Sequence, residues 1–127
     1  RAGLPLQEAI TAARSEARSI EMRLRAGHPP VPLDGADCVL VDDGLATGAS
    51  MRAAVAWARA AGAARVVVGV PVASTLSAEA LRAEADVVVC PVESEALGSV
   101  GEWYRDFAQV PEADVARCLR AGREARA

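Results

Sequence analysis

An α/β fold, a parallel sheet with flanking helices in three layers, is what this sequence predicts, and two observations carry the prediction. The runs Cys38 to Val41, Val66 to Val70 and Val87 to Cys90 are valine-rich and nearly continuous in apolar residues. Such runs match strands buried on both faces of a parallel sheet. Helical stretches separate them, Ala49 to Ala61 and Ser77 to Ala85, and a strand, helix, strand, helix, strand order implies right-handed crossovers onto a layered sheet.

The elements follow in order along the chain. Leu6, Ile10, Ala13, Ala17, Ile20 and Leu24 are spaced by threes and fours and draw one stripe down a helix. Glu21 and Arg25 are placed to pair on its polar side, and Gly27 to end it. Residues Gly27 to Asp37 hold Pro29, Pro30 and Pro32 and read as an extended connector, in which His28 is a solvated side chain. The first strand then leads through a tight loop into the helix Ala49 to Ala61, closed by Gly62, with Trp57 assigned to the core. Ser77 is placed to cap the next helix. From Pro111 to Ala125, Glu112 and Asp114 come early and Arg117, Arg120 and Arg123 late, the charge order a helix dipole favours. Three strands make a thin sheet, which implies either that the N-terminal helix covers an edge or that more sheet lies upstream of Arg1.

Composition narrows the function classes. The chain of 127 residues suits a single domain, residues 1–127, and its net charge of −3 excludes a strongly basic nucleic-acid binder. The sequence offers neither a membrane span nor a signal peptide, so a soluble cytoplasmic protein is expected, with no membrane and no nucleic acid among its partners. Every basic residue is arginine, so lysine-dependent chemistry is absent. Cys38, Cys90 and Cys118 form no CxxC pair and read as buried reduced thiols.

The stretch Val39-Leu40-Val41-Asp42-Asp43-Gly44-Leu45-Ala46-Thr47-Gly48-Ala49-Ser50 carries the chemistry. It lies at the carboxyl end of a strand, where ligands of open α/β sheets sit. Gly44 and Gly48 allow a sharp turn and close backbone approach. The Thr47 and Ser50 hydroxyls and the amides opening the helix offer donors to a phosphate. Asp42 and Asp43 can accept from paired hydroxyls or hold a hydrated Mg2+. A sugar phosphate satisfies both halves. A Walker A loop is excluded because it needs a lysine, and a dinucleotide fingerprint would place its acid after the glycines. A phosphoacceptor receiver domain also pairs aspartates near a strand end, but normally needs a lysine from a later strand. As a merely capped turn, the adjacent carboxylates would repel each other without helping folding.

Residues Val39 to Ser50 resemble the ribose-phosphate-binding motif of type I phosphoribosyltransferases: an apolar strand, two acids, and a loop ending Thr-Gly-Ala-Ser. With Arg65 to Val72 and Val100-Gly101-Glu102-Trp103-Tyr104-Arg105-Asp106-Phe107, the wording is similar to a bacterial subfamily of these enzymes, some of whose members are fused to an α/β-hydrolase domain. The resemblance implies a phosphoribosyltransferase-like fold of which this chain is the C-terminal part, lacking its N-terminal strands. It implies that Asp42 and Asp43, the catalytic pair, contact the ribose hydroxyls, with Mg2+ as cofactor bridging ribose and pyrophosphate. It implies that Gly44, Leu45, Ala46, Thr47, Gly48, Ala49 and Ser50 line the 5-phosphate. It also implies that Val100, with Trp103 or Tyr104, closes over a nitrogenous base. The rings of Trp103, Tyr104 and Phe107 could equally serve to pack the C-terminal helix.

The pyrophosphate loop and basic mobile loop of a complete transferase are not visible before Asp42. Two functions are therefore expected of a longer parent protein: transfer of the phosphoribosyl group of 5-phosphoribosyl 1-pyrophosphate to or from a nitrogenous base, or non-catalytic sugar-phosphate binding that regulates a partner. Self-association and a fused hydrolase domain are further expectations from the resemblance.

Overall fold

The computed structural model describes residues 5–126. They form two compact units, one of Val31–Phe107 and the other of the residues up to Pro30 together with those from Ala108 on.

The smaller unit pairs two helices. Helix α1, Leu6–Arg25, ends as expected, with Ala26 in the left-handed region and Gly27 following it. Its Arg25 and Glu21 pair at 2.8 Å. Arg23 makes a two-pronged contact with Glu112 of the last helix, Glu112–Glu124, with Nη2 to Oε1 at 2.9 Å and Nε to Oε2 at 3.0 Å. Arg123 donates to the Leu24 carbonyl at 3.0 Å. Neither helix buries a residue.

The larger unit has the predicted α/β order with additions. Strands β1 Asp37–Val41, β2 Arg65–Gly69 and β4 Val87–Val89 make one parallel sheet in the order β1-β2-β4. Strands β3 Val72–Ser74 and β5 Val92–Ser94 make a second, two-stranded parallel sheet. Sequence reading missed β3 and β5 for a definite reason. The registers Val67↔Val87 and Val72↔Val92 share an offset of 20 (87 − 67 = 92 − 72), so Pro71 and Pro91 fall side by side. Proline donates no ladder hydrogen bond, and the sheet is interrupted where both strands carry one.

Helices α2, Ala49–Ala60, and α3, Thr75–Arg82, join consecutive strands. The strands are added in one direction, so crossovers of one hand place both helices on one face. Cys38, Val66, Val68 and Val70 pack there against Met51, Val55, Ala58, Ala78 and Leu81. This corrects the expectation of strands buried on both faces. Val39, Val41 and Val89 are 62%, 75% and 54% exposed on the alternate positions. Trp57, expected in the core, is 58% exposed on α2. The thiols differ as well: Cys38 is buried, Cys90 half-buried and Cys118 exposed, so the expectation of three buried thiols holds for the first alone.

The helix caps show how local chemistry sets the frame. Ser74, not Ser77, caps α3, its hydroxyl accepting from the Ser77 amide at 3.2 Å. At the other end of the unit Asp86 accepts from the Val66 amide at 2.7 Å and pairs with Arg59 at 2.9 Å. These contacts, the backbone hydrogen bond first, hold its carboxyl below the usual range. Among the described residues no helix is long and apolar enough to cross a membrane.

Candidate functional site

The loop after β1 leaves the sheet, returns to it for one residue and leaves again. The Asp42 amide still donates to the Gly69 carbonyl at 3.3 Å, continuing the ladder of β1. Asp43 and Gly44 turn away, and Leu45 then forms an isolated parallel bridge with Ala73 of β3. Its amide donates to the Val72 carbonyl at 3.0 Å and its carbonyl accepts from the Ser74 amide at 2.9 Å. The Leu45 side chain is buried in the core. Leu45 therefore anchors the loop, and its amide is committed to the sheet, away from any phosphate.

Beyond this anchor the loop runs into the start of α2 with most of its amides unbonded. The Ala46 carbonyl is drawn inward by two hydroxyls, Ser77 Oγ at 2.7 Å and Ser74 Oγ at 3.0 Å. Gly48 precedes α2 at φ 76°, a left-handed conformation that L side chains rarely adopt, and a Cβ there would lie 3.4 Å from the Ser77 Cβ. The Thr47 hydroxyl accepts from the Ala49 amide at 3.4 Å. Among the described residues, none accepts from the amides of Ala46, Thr47, Gly48, Ser50 and Met51. Open amides at a helix start, with the positive end of the helix dipole behind them, form a cradle for an anion. Ala46, Thr47, Ala49 and Ser50 are exposed.

Asp42 and Asp43 stand exposed beside this cradle. Asp42 Oδ1 accepts from the Asp43 amide at 2.9 Å, which turns one carboxylate oxygen back onto the chain. The loop thus sets open amide donors next to two carboxylates, the complement of a phosphate next to hydroxyls.

The distant aromatic segment reaches the same loop. A short 3-10 helix, Val100–Trp103, follows β5. Val100 packs on Gly44 so closely that a Cβ there would meet its methyls at 2.6 and 2.8 Å. The Tyr104 hydroxyl donates to the Asp43 carbonyl at 2.6 Å. Trp103 donates from Nε1 to the Leu97 carbonyl at 2.8 Å and is half-exposed. Of the three residues expected at a base, Val100 and Tyr104 touch the acidic turn and Trp103 keeps an open ring surface. Ser74 and Ser77, which hold the Ala46 carbonyl, were not singled out in the sequence. A Ser-x-x-Ser pair after an apolar run signals a helix cap, and nothing local names a carbonyl 28 or 31 residues upstream as its partner.

Comparison with known proteins gives one family. The phosphoribosyl transferase domain matches residues 2–109. Two Mycobacterium tuberculosis proteins, named "Putative phosphoribosyl transferase MT0597" in strain CDC 1551 and "Putative phosphoribosyl transferase Rv0571c" in strain H37Rv, are each 41% identical over 103 residues. Those matches take in 80% of this chain and 23% of each relative, so the chain spans about a quarter of their length. The crystal structure of TT1426 from Thermus thermophilus is similar at a TM-score of 0.79 and 41% identity, covering 90% of this chain and 54% of that one.

Proposed function

The chain belongs to the phosphoribosyl transferase domain family, and from that premise we propose that its loop binds the ribose 5-phosphate half of 5-phosphoribosyl 1-pyrophosphate. The parent protein would transfer the phosphoribosyl group to or from a nitrogenous base. One observation carries this reading: the open amides of Ala46, Thr47, Gly48, Ser50 and Met51 stand beside the exposed carboxylates of Asp42 and Asp43. The phosphate would take the amides and the Thr47 and Ser50 hydroxyls, while the carboxylates accept from the ribose hydroxyls.

The carboxylate pair fits Mg2+, a hard cation that takes one or two protein carboxylates and fills its remaining positions with water and substrate oxygens. Asp42 and Asp43 would hold it, and when bound it would supply positive charge to the ribose and pyrophosphate oxygens. Among the described residues no cluster of three or more metal-ligating side chains competes for it.

The chain's own contribution is positioning and fixed dipoles. Arg52, in the first turn of α2, is tied to Glu84 and not left open toward departing pyrophosphate. That observation favours a second reading for these 127 residues taken alone: sugar-phosphate binding without turnover.

Calorimetric titration of 5-phosphoribosyl 1-pyrophosphate with Mg2+ into the chain, and into an Asp42→Asn, Asp43→Asn double variant, tests the reading. Saturable binding lost in the variant is expected. Binding that survives the double substitution, or no binding by the unaltered chain, would overturn it.

A further inference from the structure

From Leu97 to Phe107 the chain braces itself. Ser99 and Glu102 close a capping box around the 3-10 helix, and the Trp103 indole donates to Leu97. The Phe107 ring lies tilted against Tyr104 with centroids 5.1 Å apart, and it covers Gly101. Two groups of this braced segment reach back to the acidic turn, and they meet it at consecutive residues. The Tyr104 hydroxyl holds the Asp43 carbonyl, and the Val100 methyls fill the space beside the Gly44 Cα. That carbonyl and that Cα belong to one peptide plane. The hydrogen bond disfavours rotation of this plane and the packing holds its far end, while the flanking amides of Asp42 and Leu45 are already in the ladder. The Asp43 backbone is thereby restrained on every side.

We propose that Tyr104, backed by Val100, is a positioning residue that holds the backbone from which the Asp43 side chain projects and couples the aromatic segment to the acidic end of β1. Its bearing on the ribose rests on the sugar-phosphate reading given above. Only a ring carrying a donor can do this, because the partner is a carbonyl oxygen. Tyr104 then acts on a bound sugar through Asp43, and the half-exposed rings of Trp103 and Phe107 are left as the surface for a flat base.

Tyr104→Phe keeps the ring and its contact with Phe107 and deletes only the donor. Amide exchange in the unliganded chain should quicken about five-fold at Asp42 and Leu45, the size of one lost hydrogen bond, and stay unchanged in the interior of α2. Affinity for 5-phosphoribosyl 1-pyrophosphate with Mg2+ should fall by a similar factor, while affinity for inorganic phosphate, which needs only the amide cradle, stays the same. Val100→Ala should move the same quantities in the same direction. Unchanged exchange at Asp42 and Leu45 would overturn the proposal even if the chain binds the sugar phosphate. Equal weakening of both ligands would overturn it too, by showing a general structural role. Quickened exchange in a chain that binds no sugar phosphate would uphold the latch and refute the sugar-phosphate reading.

Discussion

Gly44→Ala should drive the aromatic segment off the acidic turn, and the size of the effect follows from two distances. The new Cβ would sit 2.6 and 2.8 Å from the Val100 methyls and 3.1 Å from the Val72 carbonyl oxygen. Carbon atoms rest about 3.5–4.0 Å apart, so Val100 must retreat by roughly 1 Å. Both methyls are on one β-branched carbon, and rotation about χ1 cannot clear both. The retreat therefore falls on the 3-10 helix and takes the Tyr104 hydroxyl with it. Overpacking of this kind costs about 1–3 kcal/mol. Val100→Ala removes both offending atoms and, at a half-buried site, should cost about 1 kcal/mol alone. In the double variant the new methyl occupies the vacated space, so its stability should match Val100→Ala within about 0.5 kcal/mol, a coupling of about 1–3 kcal/mol. Urea unfolding followed by tryptophan emission measures all four members of the cycle. Trp57 and Trp103 both lie within Val31–Phe107, so the signal reports the unit that carries the substitutions. Additive costs, with no recovery in the double variant, would refute the reasoning.

Three further outcomes are expected. Ser77→Ala should destabilise the same unit by about 1 kcal/mol, since it deletes the buried hydroxyl's bond to the Ala46 carbonyl. Ser74→Ala should cost about 1–2 kcal/mol, because it also uncaps α3; urea midpoints that rank the two the other way would count against this account of the loop. The Asp86 carboxyl is held below its ordinary value by the Val66 amide and Arg59, so its stabilising effect is full above the ordinary carboxylate range and is lost as pH falls through and beneath it. The stability gap between the unaltered chain and Asp86→Asn should narrow on acidification, and a gap that widens in urea melts would show the sign to be wrong. A thiol reagent near neutral pH should label exposed Cys118 first. Cys90 should follow, its thiol pushed up by burial, and Cys38 should label only on unfolding, as read by peptide mass mapping.

Local pattern made the helices and the first halves of the strands readable. The three-and-four spacing from Leu6 to Leu24 and the dipole-ordered charges after Pro111 each match a helix to within a residue at each end. The acid pair and its glycine loop were readable because each residue type there has a local chemical meaning. What escaped depends on partners far along the chain. Val72 to Ser74 pairs with Val92 to Ser94 only because two prolines interrupt adjacent strands in the same register. A valine run cannot tell whether its second face will be covered, and Val39 and Val41 lie on the face away from α2 and α3. The Tyr104 hydroxyl is bound to a carbonyl 61 residues upstream, a partner that no local pattern announces.

The interrupted sheet explains why the two acids are not equivalent. Had β1 run on without a break, successive side chains would point to opposite faces, and Asp42 and Asp43 could not share a ligand. The proline break lets the chain leave the ladder after Asp42 and rejoin it at Leu45, so Asp42 takes the last ladder position and Asp43 the short excursion that follows, pinned at each end. Asp42 is then aimed locally, by its own oxygen accepting from the next amide. Among the described residues none bonds the Asp43 carboxylate, and the backbone that carries it is held by the Tyr104 hydroxyl and the Val100 contact. Loss of the aromatic segment should therefore leave Asp42 in place and release Asp43. A ligand that needs both carboxylates feels that segment, and a ligand that needs only the amide cradle does not.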